Sequence, residues 1–406
     1  MRRSGPRVTG TLAAMRTPAA TGRYNDLDAL RAFTILVVVA FHVGGVSYTL
    51  PVDGGRPVEL WLTWCVKTAD QFQMPVFFVM SGFFGALAVR RRGSLAFLRG
   101  RLERIGIPLL VAWLVLGPLL NLIAIYGQHV RGRPQQPIAF DTLVAPKLHH
   151  LWFLAYLLLF CAAALVLRAA LAWSPRLASL GRRAFEAVAR TPARLAVLVP
   201  MTALLSWNAQ APTTTGGNEF IPDLGTIARF GPFFAFGWIL YGSRELLLPR
   251  LRAAPGAHIA VALAASILLT AVVDQTPGDE RTTKALLNGL GAIVAWTATL
   301  GLMGLFHRWF NRPGERVRYG ADAAYWIYLG HLPLVNALSY ALVDVGAPFA
   351  LRILLVPAIT VGLLLLAYDR LVRYTPVGSV LHGRRSRYGA SSRPGTGSPA
   401  SSAAQA

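Results

Sequence analysis

The stretch LDALRAFTILVVVAFHVGGV, residues 27–46, is apolar and long enough to cross a lipid bilayer as one helix. It carries Arg31 near its first end and His42 deep inside. The two residues are 11 positions apart, hence about 20° apart around a helix and roughly 16 Å apart along its axis. An ionisable residue inside a membrane span is costly and often marks a functional site. We therefore expect the rest of the chain to be organised around the face that holds both residues.

The composition indicates a membrane protein. Of the 406 residues, 54% are hydrophobic and 14% are charged, whereas a soluble chain carries about 25% charged residues. The apolar residues fall into about ten runs that could each cross a bilayer. We therefore predict an all-α fold, a polytopic bundle of about ten transmembrane helices in one integral domain. The predicted spans are residues 29–49, 72–89, 105–126, 150–171, 193–208, 226–243, 257–274, 285–307, 322–343 and 349–369.

The distribution of basic residues orients these spans. The segments on the side of the N-terminus hold 30 of the 40 Lys and Arg residues, and the opposite loops hold seven. Because Lys and Arg concentrate in cytoplasmic loops, both termini are predicted to be cytoplasmic. The net charge of +22 then reflects topology and contact with the anionic lipid bilayer. A nucleic-acid partner is disfavoured.

Three regions follow from the same pattern. Residues 1–26 are predicted to be a cytoplasmic tail, and the absence of an apolar stretch there argues against a cleavable signal peptide. Residues 27–372 form the integral membrane domain, and residues 373–406 a cytoplasmic tail whose Ser, Gly, Ala and Pro content predicts disorder. Cys65 and Cys161 have no metal-ligand spacing, and the sequence lacks nucleotide-binding and zinc-protease motifs, so no metal site is predicted.

His42 is the strongest candidate for chemistry. A histidine exchanges protons near neutral pH, and an apolar span favours its neutral form, which suits a general base. The alternative is a histidine that packs between helices. Arg31 could bind an anion or pair with Asp28, one turn earlier, although taken alone it is better explained as an arginine that reaches the membrane surface. The face shared with Arg31 favours the functional interpretation of His42.

A second basic motif precedes the third predicted span. Arg101 and Arg104 lie three positions apart, on one helical face at the cytoplasmic end of that span. Two guanidinium groups in this arrangement suit phosphate, which arginine binds bidentately. The alternative is that both residues only set the topology, and their position does not decide between the two interpretations.

The stretch FQMPVFFVMSGFF, residues 72–84, contains a further candidate. Ser81 could orient a substrate. Gly82 is better explained by close packing of two helices, which small residues permit in membranes.

Two later motifs contribute four more candidates. His150 and Trp152 open the fourth predicted span, where a tryptophan at the membrane interface is ordinary. The stretch DAAYWIYLGHLPL, residues 322–334, places Tyr328 and His331 three residues apart on one helical face. His331 is thus a second intramembrane histidine, for which packing is again the alternative.

Together these motifs resemble those of the integral-membrane acyltransferases of family 3, over residues 24–372. In LDALRAFTILVVVAFH (27–42) the matching pattern is an arginine, ten residues and a histidine. The stretches FFVMSGF (77–83), HLWFL (150–154) and YWIYLGHLP (325–333) match further motifs, and so does the arginine pair before Pro108. Each motif is short, but five of them in the family's order are specific in combination.

The resemblance implies an O-acyltransferase that acylates sugars, glycans or lipids of the cell envelope. It implies that His42 is the catalytic histidine and deprotonates an acceptor hydroxyl, which attacks the donor thioester. It also implies an acyl donor, commonly cytoplasmic acyl-CoA, that acts as a co-substrate and not as a bound cofactor. The residues expected to bind this donor are Arg31, Arg101 and Arg104. The residues expected to support the site or line the substrate are Asp28, Ser81, His150, Trp152, Tyr328 and His331.

The C-terminal tail and the wording WIYLGHLP (326–333) favour the branch similar to enzymes that add succinyl groups to periplasmic glucans. The periplasmic hydrolase-like domain that many members carry is not expected here. Acceptor recognition would then use the outer loops, the cavity or a partner protein. An alternative from another class is a proton-coupled transporter or flippase with His42 and His331 as proton relays, and a membrane scaffold is a third hypothesis. The arginine pair and the serine–glycine motif favour the acyltransferase.

Overall fold

The computed structural model describes residues 24–47, 50, 60–132, 147–191, 193–207, 220–275, 280–312 and 314–382. Every regular element in these residues is helical, and they contain no β-strand. The predicted all-α, polytopic helix bundle is therefore confirmed. Most of both predicted tails lies outside the described residues, so the domain boundaries stay a prediction.

The helices follow one another with mostly short connections. They are α1 (Asn25–Ser47), α2 (Leu60–Arg92), α3 (Ser94–Arg101), α4 (Ile107–Val130), α5 (Trp152–Ala172), α6 (Pro175–Arg190), α7 (Arg194–Leu205), α8 (Leu224–Gly242), α9 (Arg244–Leu251), α10 (Pro255–Gln275), α11 (Glu280–Phe310), α12 (Glu315–Asp344), α13 (Phe349–Ala367) and α14 (Pro376–His382). A π-helical stretch (Leu102–Gly106) joins α3 to α4, a 3-10 turn (His149–Leu151) precedes α5, and a second π-helical stretch (Tyr368–Val372) follows α13.

The number of spans differs from the prediction of about ten. In the described residues, eight helical segments are long and apolar enough to cross a membrane, or nine if the bent pair α6 and α7 forms one span. The helix α7 has only 12 residues, about 18 Å of length, which is short of a hydrocarbon core of about 30 Å. The helix α8 is 19 residues long, but Arg229 and its glycines lower its hydropathy. The segments α7 and α8 are helical as predicted, but neither is among the eight candidate spans.

The interface between α2 and α8 is closed by two glycines. A Cβ atom on Gly82 would overlap the carbonyl oxygen of Phe234, and one on Gly237 would overlap that of Val79. Only glycine allows the two backbones to approach this closely. Nearby, the rings of Phe78 and Phe230 stack with centroids 5.2 Å apart. Gly82 therefore serves close packing, as its sequence context favoured.

A second interface joins α1 to α12. Arg31 Nη2 donates to the carbonyl of Ala321 at 2.9 Å, and the rings of His42 and His331 lie 5.1 Å apart. These two contacts are 11 residues apart on α1 and 10 residues apart on α12, and they occur in the same order along both helices. The two helices are therefore parallel neighbours. This α1–α12 interface carries polar groups at both ends, whereas the α2–α8 interface combines a polar pair, Arg229 and Gln71, with a close glycine contact farther along α2.

Most outward-facing helix surfaces are apolar. Side chains such as Val115 and Leu354 are 61% and 70% exposed, as expected for positions that face lipid. The helix α6 differs because it is amphipathic: Leu177 and Leu180 are exposed on its apolar side, and its arginines lie on the opposite side. The two cysteines are free thiols, and Cys161 is buried.

Candidate functional site

Three histidines from distant parts of the chain meet inside the bundle. His42 comes from α1, His331 from α12 and His150 from the turn that precedes α5. The ring centroids of His42 and His331 are 5.1 Å apart, and those of His150 and His331 are 5.0 Å apart. His331 is fully buried and His150 nearly so, whereas His42 is half-buried. We call these residues the histidine cluster.

Hydrogen bonds to backbone carbonyls fix two of the three rings. His331 Nδ1 lies 2.7 Å from the carbonyl oxygen of Tyr328, and His150 Nε2 lies 3.0 Å from that of Leu329. A carbonyl oxygen can only accept a hydrogen bond, so each of these nitrogens carries the hydrogen. In the neutral rings, the lone pairs are therefore on His331 Nε2 and His150 Nδ1.

Those two nitrogens are buried and have no hydrogen-bond partner in the part of the chain that the structure describes. Buried polar atoms are normally paired, because an unpaired one costs free energy. The cluster therefore presents two imidazole lone pairs that can accept a proton or a hydrogen bond. Its third member, His42, is the one that remains partly accessible.

Tyr328 holds the cluster together from α12. Its hydroxyl donates to the backbone carbonyl of His150 at 2.5 Å, and its own carbonyl accepts from His331. One residue thus ties the turn before α5 to the helix that carries His331. The sequence placed Tyr328 and His331 on one face, and the structure agrees.

The predicted donor-binding arginines lie at the opposite end of the α1–α12 interface. Arg31 pairs with Asp28 at 3.2 Å and reaches the carbonyl of Ala321. The backbone carbonyl of Arg104 accepts a hydrogen bond from Tyr325 at 3.0 Å. Ala321 and Tyr325 are four residues apart, about 6 Å along α12. The structure therefore brings Arg31 and the Arg104 backbone to neighbouring turns of one helix.

The segment of the arginine pair is not a regular α-helix. Arg101 ends α3, and Arg104 lies in the π-helical stretch that follows, whereas the sequence spacing assumed an α-helix. Single π-helical turns occur often at functional sites. The guanidinium of Arg101 lies 5.0 Å from the centre of the Phe97 ring, a cation–π contact.

One face of α12 links the two ends. Tyr325, Tyr328 and His331 recur every three residues, and the rings of Tyr325 and Tyr328 stack with centroids 6.5 Å apart. From Tyr325 to His331 the helix rises about 9 Å. The sequence analysis missed Tyr325, although its spacing of three residues from Tyr328 was visible.

The two remaining predicted site residues lie differently. Trp152 follows His150 by two residues, and its ring packs 5.6 Å from that of Phe230. Ser81 is half-buried on α2. In the described residues, the hydrogen bonds and ring contacts do not connect Ser81 to the histidine cluster.

The sequence analysis did not foresee two buried polar networks. Asp26 at the start of α1 pairs with Arg252 and, at 3.1 Å, with His307. Farther along the bundle, Arg229 donates to Gln71 at 3.1 Å, beside a small pocket between α2, α7, α8 and α11. No group of three His, Cys, Asp or Glu side chains among the described residues is placed to hold a metal ion.

Comparisons with known proteins concern the chain as a sequence. A family model described as an acyltransferase domain matches residues 24–369. Glucans biosynthesis protein C of Escherichia coli O6:K15:H31 (strain 536 / UPEC) is 35% identical over 149 residues, which cover 34% of this chain and 37% of the relative. The same protein of Escherichia coli O1:K1 / APEC is 34% identical over 149 residues, which again cover 34% of this chain and 37% of the relative. The match thus spans little more than a third of these relatives. No solved structure matches.

Proposed function

Since the chain belongs to the acyltransferase family whose model spans residues 24–369, we propose that it transfers an acyl group from cytoplasmic acyl-CoA to a hydroxyl of a cell-envelope sugar, glycan or lipid. Membership confirms the resemblance seen in the sequence, and the helices long enough to cross a bilayer make it a multi-pass membrane acyltransferase. The donor, the acceptor, the inner-membrane location, the cytoplasmic termini and the residue roles belong to the proposal.

One observation carries the proposal: a basic end and an imidazole end lie on the same pair of parallel helices. Arg31 and His42 are separated by about 16 Å along α1, with the arginine pair of residues 101 and 104 beside the first end. Acyl-CoA has the matching shape, because its phosphates are anionic and its thioester lies at the far end of a long pantetheine arm. Arginines at one end would hold the phosphates, and the thioester would reach the histidines.

In the proposed reaction, His42 acts as the general base. Its free ring nitrogen takes the proton of the acceptor hydroxyl while the oxygen attacks the thioester carbonyl. The tetrahedral intermediate then expels the CoA thiolate as the carbon–sulfur bond breaks. The imidazolium of His42 returns its proton to the thiolate, so the enzyme ends in its starting state. No covalent acyl-enzyme is needed, and in the described residues no hydrogen bond joins Ser81 to the histidine cluster.

The names of the relatives support a choice of acceptor class. They are named glucans biosynthesis proteins, and a glucan offers many hydroxyls outside the membrane. We therefore propose a periplasmic glucan as the first acceptor to test, with a succinyl group as the first acyl chain. A partner protein would deliver the acceptor if the outer loops do not bind it.

The test is transfer by the purified full chain in lipid nanodiscs, with labelled acyl-CoA, glucan oligosaccharides and mass spectrometry of the product. We expect His42→Ala to lower the rate by about 10² to 10⁴, the range for loss of a general base. His129→Ala, at the last turn of α4, is the matched control and should retain activity. Undiminished transfer by a folded His42→Ala variant would overturn the assignment.

The donor site has a separate test. Arg101→Gln should raise the KM for acyl-CoA, and the increase should be smaller for a donor lacking the 3′-phosphate if that phosphate is the group bound. Arg99→Gln is the control, since Arg99 is exposed and pairs with Glu103. Equal KM values for wild type and Arg101→Gln would contradict the proposed donor site.

A further inference from the structure

We propose that His331 is a positioning residue that accepts a hydrogen bond from the ring N–H of His42 and so leaves the other nitrogen of His42 free as the base. The inference rests on the proposed catalytic role of His42 and adds a partner that determines which of its nitrogens is reactive. It assigns a function to the buried lone pair of His331, which otherwise has no partner in the described residues.

The tautomer of His331 makes it an acceptor. Its Nδ1–H is committed to the carbonyl of Tyr328 at 2.7 Å, so its Nε2 holds the lone pair. The ring is fully buried, and water cannot easily replace a missing partner there. A donor on a neighbouring side chain would remove the cost of this unpaired nitrogen.

His150 cannot be that donor. Its Nε2–H is committed to the carbonyl of Leu329 at 3.0 Å, so its Nδ1 is also an acceptor in the neutral ring. Two lone pairs cannot form a hydrogen bond with each other. Within the histidine cluster, only His42 retains an N–H to give.

The separation of the two rings fits this bond. A nitrogen–nitrogen hydrogen bond of about 2.9 Å, plus about 1.1 Å from each nitrogen to its ring centre, gives centroids about 5 Å apart. The centroids of His42 and His331 are 5.1 Å apart, with the ring planes tilted by 45°. The bond therefore forms when the ring of His42 turns its N–H toward His331 Nε2.

In the reaction, the hydrogen bond between His42 and His331 strengthens when His42 becomes charged. Once His42 has taken the acceptor proton, its bond to His331 is charge-assisted and so roughly twice as strong as a neutral one. His331 then stabilises the imidazolium and keeps it oriented until the thiolate takes the proton back. A carboxylate performs this role in Ser-His-Asp hydrolases, whereas here the partner is a neutral ring fixed by a backbone carbonyl.

A matched pair of variants tests the inference. The amide of Asn lies as far from Cα as Nδ1 does, so His331→Asn can keep the bond to the Tyr328 carbonyl but has no acceptor at the position of Nε2. The amide of Gln reaches that position, so His331→Gln can keep an acceptor for His42. We expect His331→Asn to lower kcat by about 10-fold to 100-fold with little change in the KM for acyl-CoA, the range of one charge-assisted bond. His331→Gln should recover most of the loss.

A purely structural role predicts a different result. It would lower the yield or the thermal stability of both variants, and folded molecules would retain the wild-type kcat. Equal kcat values for His331→Asn and His331→Gln would overturn the inference, while loss of activity in His42→Ala would still support the proposed function.

The wild-type protein gives an independent measurement if both variants fail to fold. Nitrogen-15 NMR of histidine-labelled protein in bilayers can detect coupling across a nitrogen–nitrogen hydrogen bond. We expect one coupled pair of histidine rings that vanishes in His42→Ala. The absence of any such pair in the wild type would overturn the inference.

Discussion

Two helix interfaces of the same bundle are built in opposite ways. In the α2–α8 interface, backbone meets backbone across Gly82 and Gly237, with aromatic rings stacked nearby. In the α1–α12 interface, polar side chains stand at both ends, and the two backbones lie at an ordinary distance. Near the basic end, a Cβ on Gly320 would lie 3.4 Å from the Cβ of Ala32.

We expect the α2–α8 interface to stabilise the fold and the α1–α12 interface to serve the reaction. Close backbone contact gains dispersion energy over many atoms and has no room for added atoms. The α1–α12 interface contains charged and imidazole groups at both ends, and such groups are expensive inside a membrane and are retained where they serve function. We therefore expect substitutions in the first interface to reduce the amount of folded protein and substitutions in the second to change kinetics.

The largest effect is expected from Gly237→Ala. The new methyl group would overlap the carbonyl oxygen of Val79, and a backbone atom cannot turn aside as a side chain can. We expect a loss of stability above the usual range for overpacking, about 1–3 kcal/mol. The measurement is the yield of monodisperse protein in detergent and its melting temperature.

Gly362→Ala is the control for this prediction. Gly362 lies inside α13, and its added Cβ would meet nothing within 4 Å. Alanine is the better helix former by about 1 kcal/mol, so this variant should be as stable as the wild type or more so. Similar losses in both variants would show that the α2–α8 interface is not special.

The next effect concerns the basic end of the α1–α12 interface. Arg31→Gln removes the guanidinium that we assign to the donor phosphates, and hydrogen bonds to charged groups contribute about 1.5–3 kcal/mol. We expect the KM for acyl-CoA to rise by about 10-fold to 100-fold, with kcat changed less. Arg92→Gln, an exposed arginine at the end of α2, should leave the KM unchanged. A rise in both variants would indicate a general charge effect instead of a donor site.

The local part of this site could be predicted from the sequence. Periodicity alone places Arg31 with His42, and Tyr328 with His331, because each pair belongs to one helix. Periodicity does not predict that α1, α12 and the turn at His150 come together, because this depends on packing between segments more than 100 residues apart. The π-helical stretch at Arg104 was not predicted either, because an apolar pattern does not encode a shift in the register of backbone hydrogen bonds.

The fold class was accessible for a similar reason. The bilayer requires long apolar helices, so hydropathy identified the helical segments, including α7 and α8. It predicted about ten spans, whereas the described residues hold eight helical segments of spanning length, or nine with the bent pair, because an apolar run does not reveal where its helix ends. The helix α7 ends after 12 residues, and α8 contains Arg229, which interacts with Gln71 of α2. The buried pairing of Asp26 with Arg252 was likewise invisible, because the two residues lie in different parts of the chain.

A smaller effect is expected from Tyr328→Phe. This change removes one hydroxyl, whose hydrogen bond to the carbonyl of His150 measures 2.5 Å, and keeps the ring. The free energy of unfolding should fall by about 0.5–1.5 kcal/mol, the usual net value of one hydrogen bond. Because His150 would be held less firmly, kcat should fall by less than it does in His331→Asn. An unchanged melting temperature and kcat would show that the hydroxyl does not support the cluster.

The smallest effect is expected from Gly320→Ala in the α1–α12 interface. Its added Cβ would lie 3.4 Å from the Cβ of Ala32, which is close but leaves both backbones in place. The better helix propensity of alanine, about 1 kcal/mol, should offset the tight contact, so stability and kcat should stay near wild type. The measurement is the same melting curve and kcat used for Gly237→Ala. If Gly320→Ala were as damaging as Gly237→Ala, the α1–α12 interface would also depend on backbone contact, and polar groups would not be what distinguishes it.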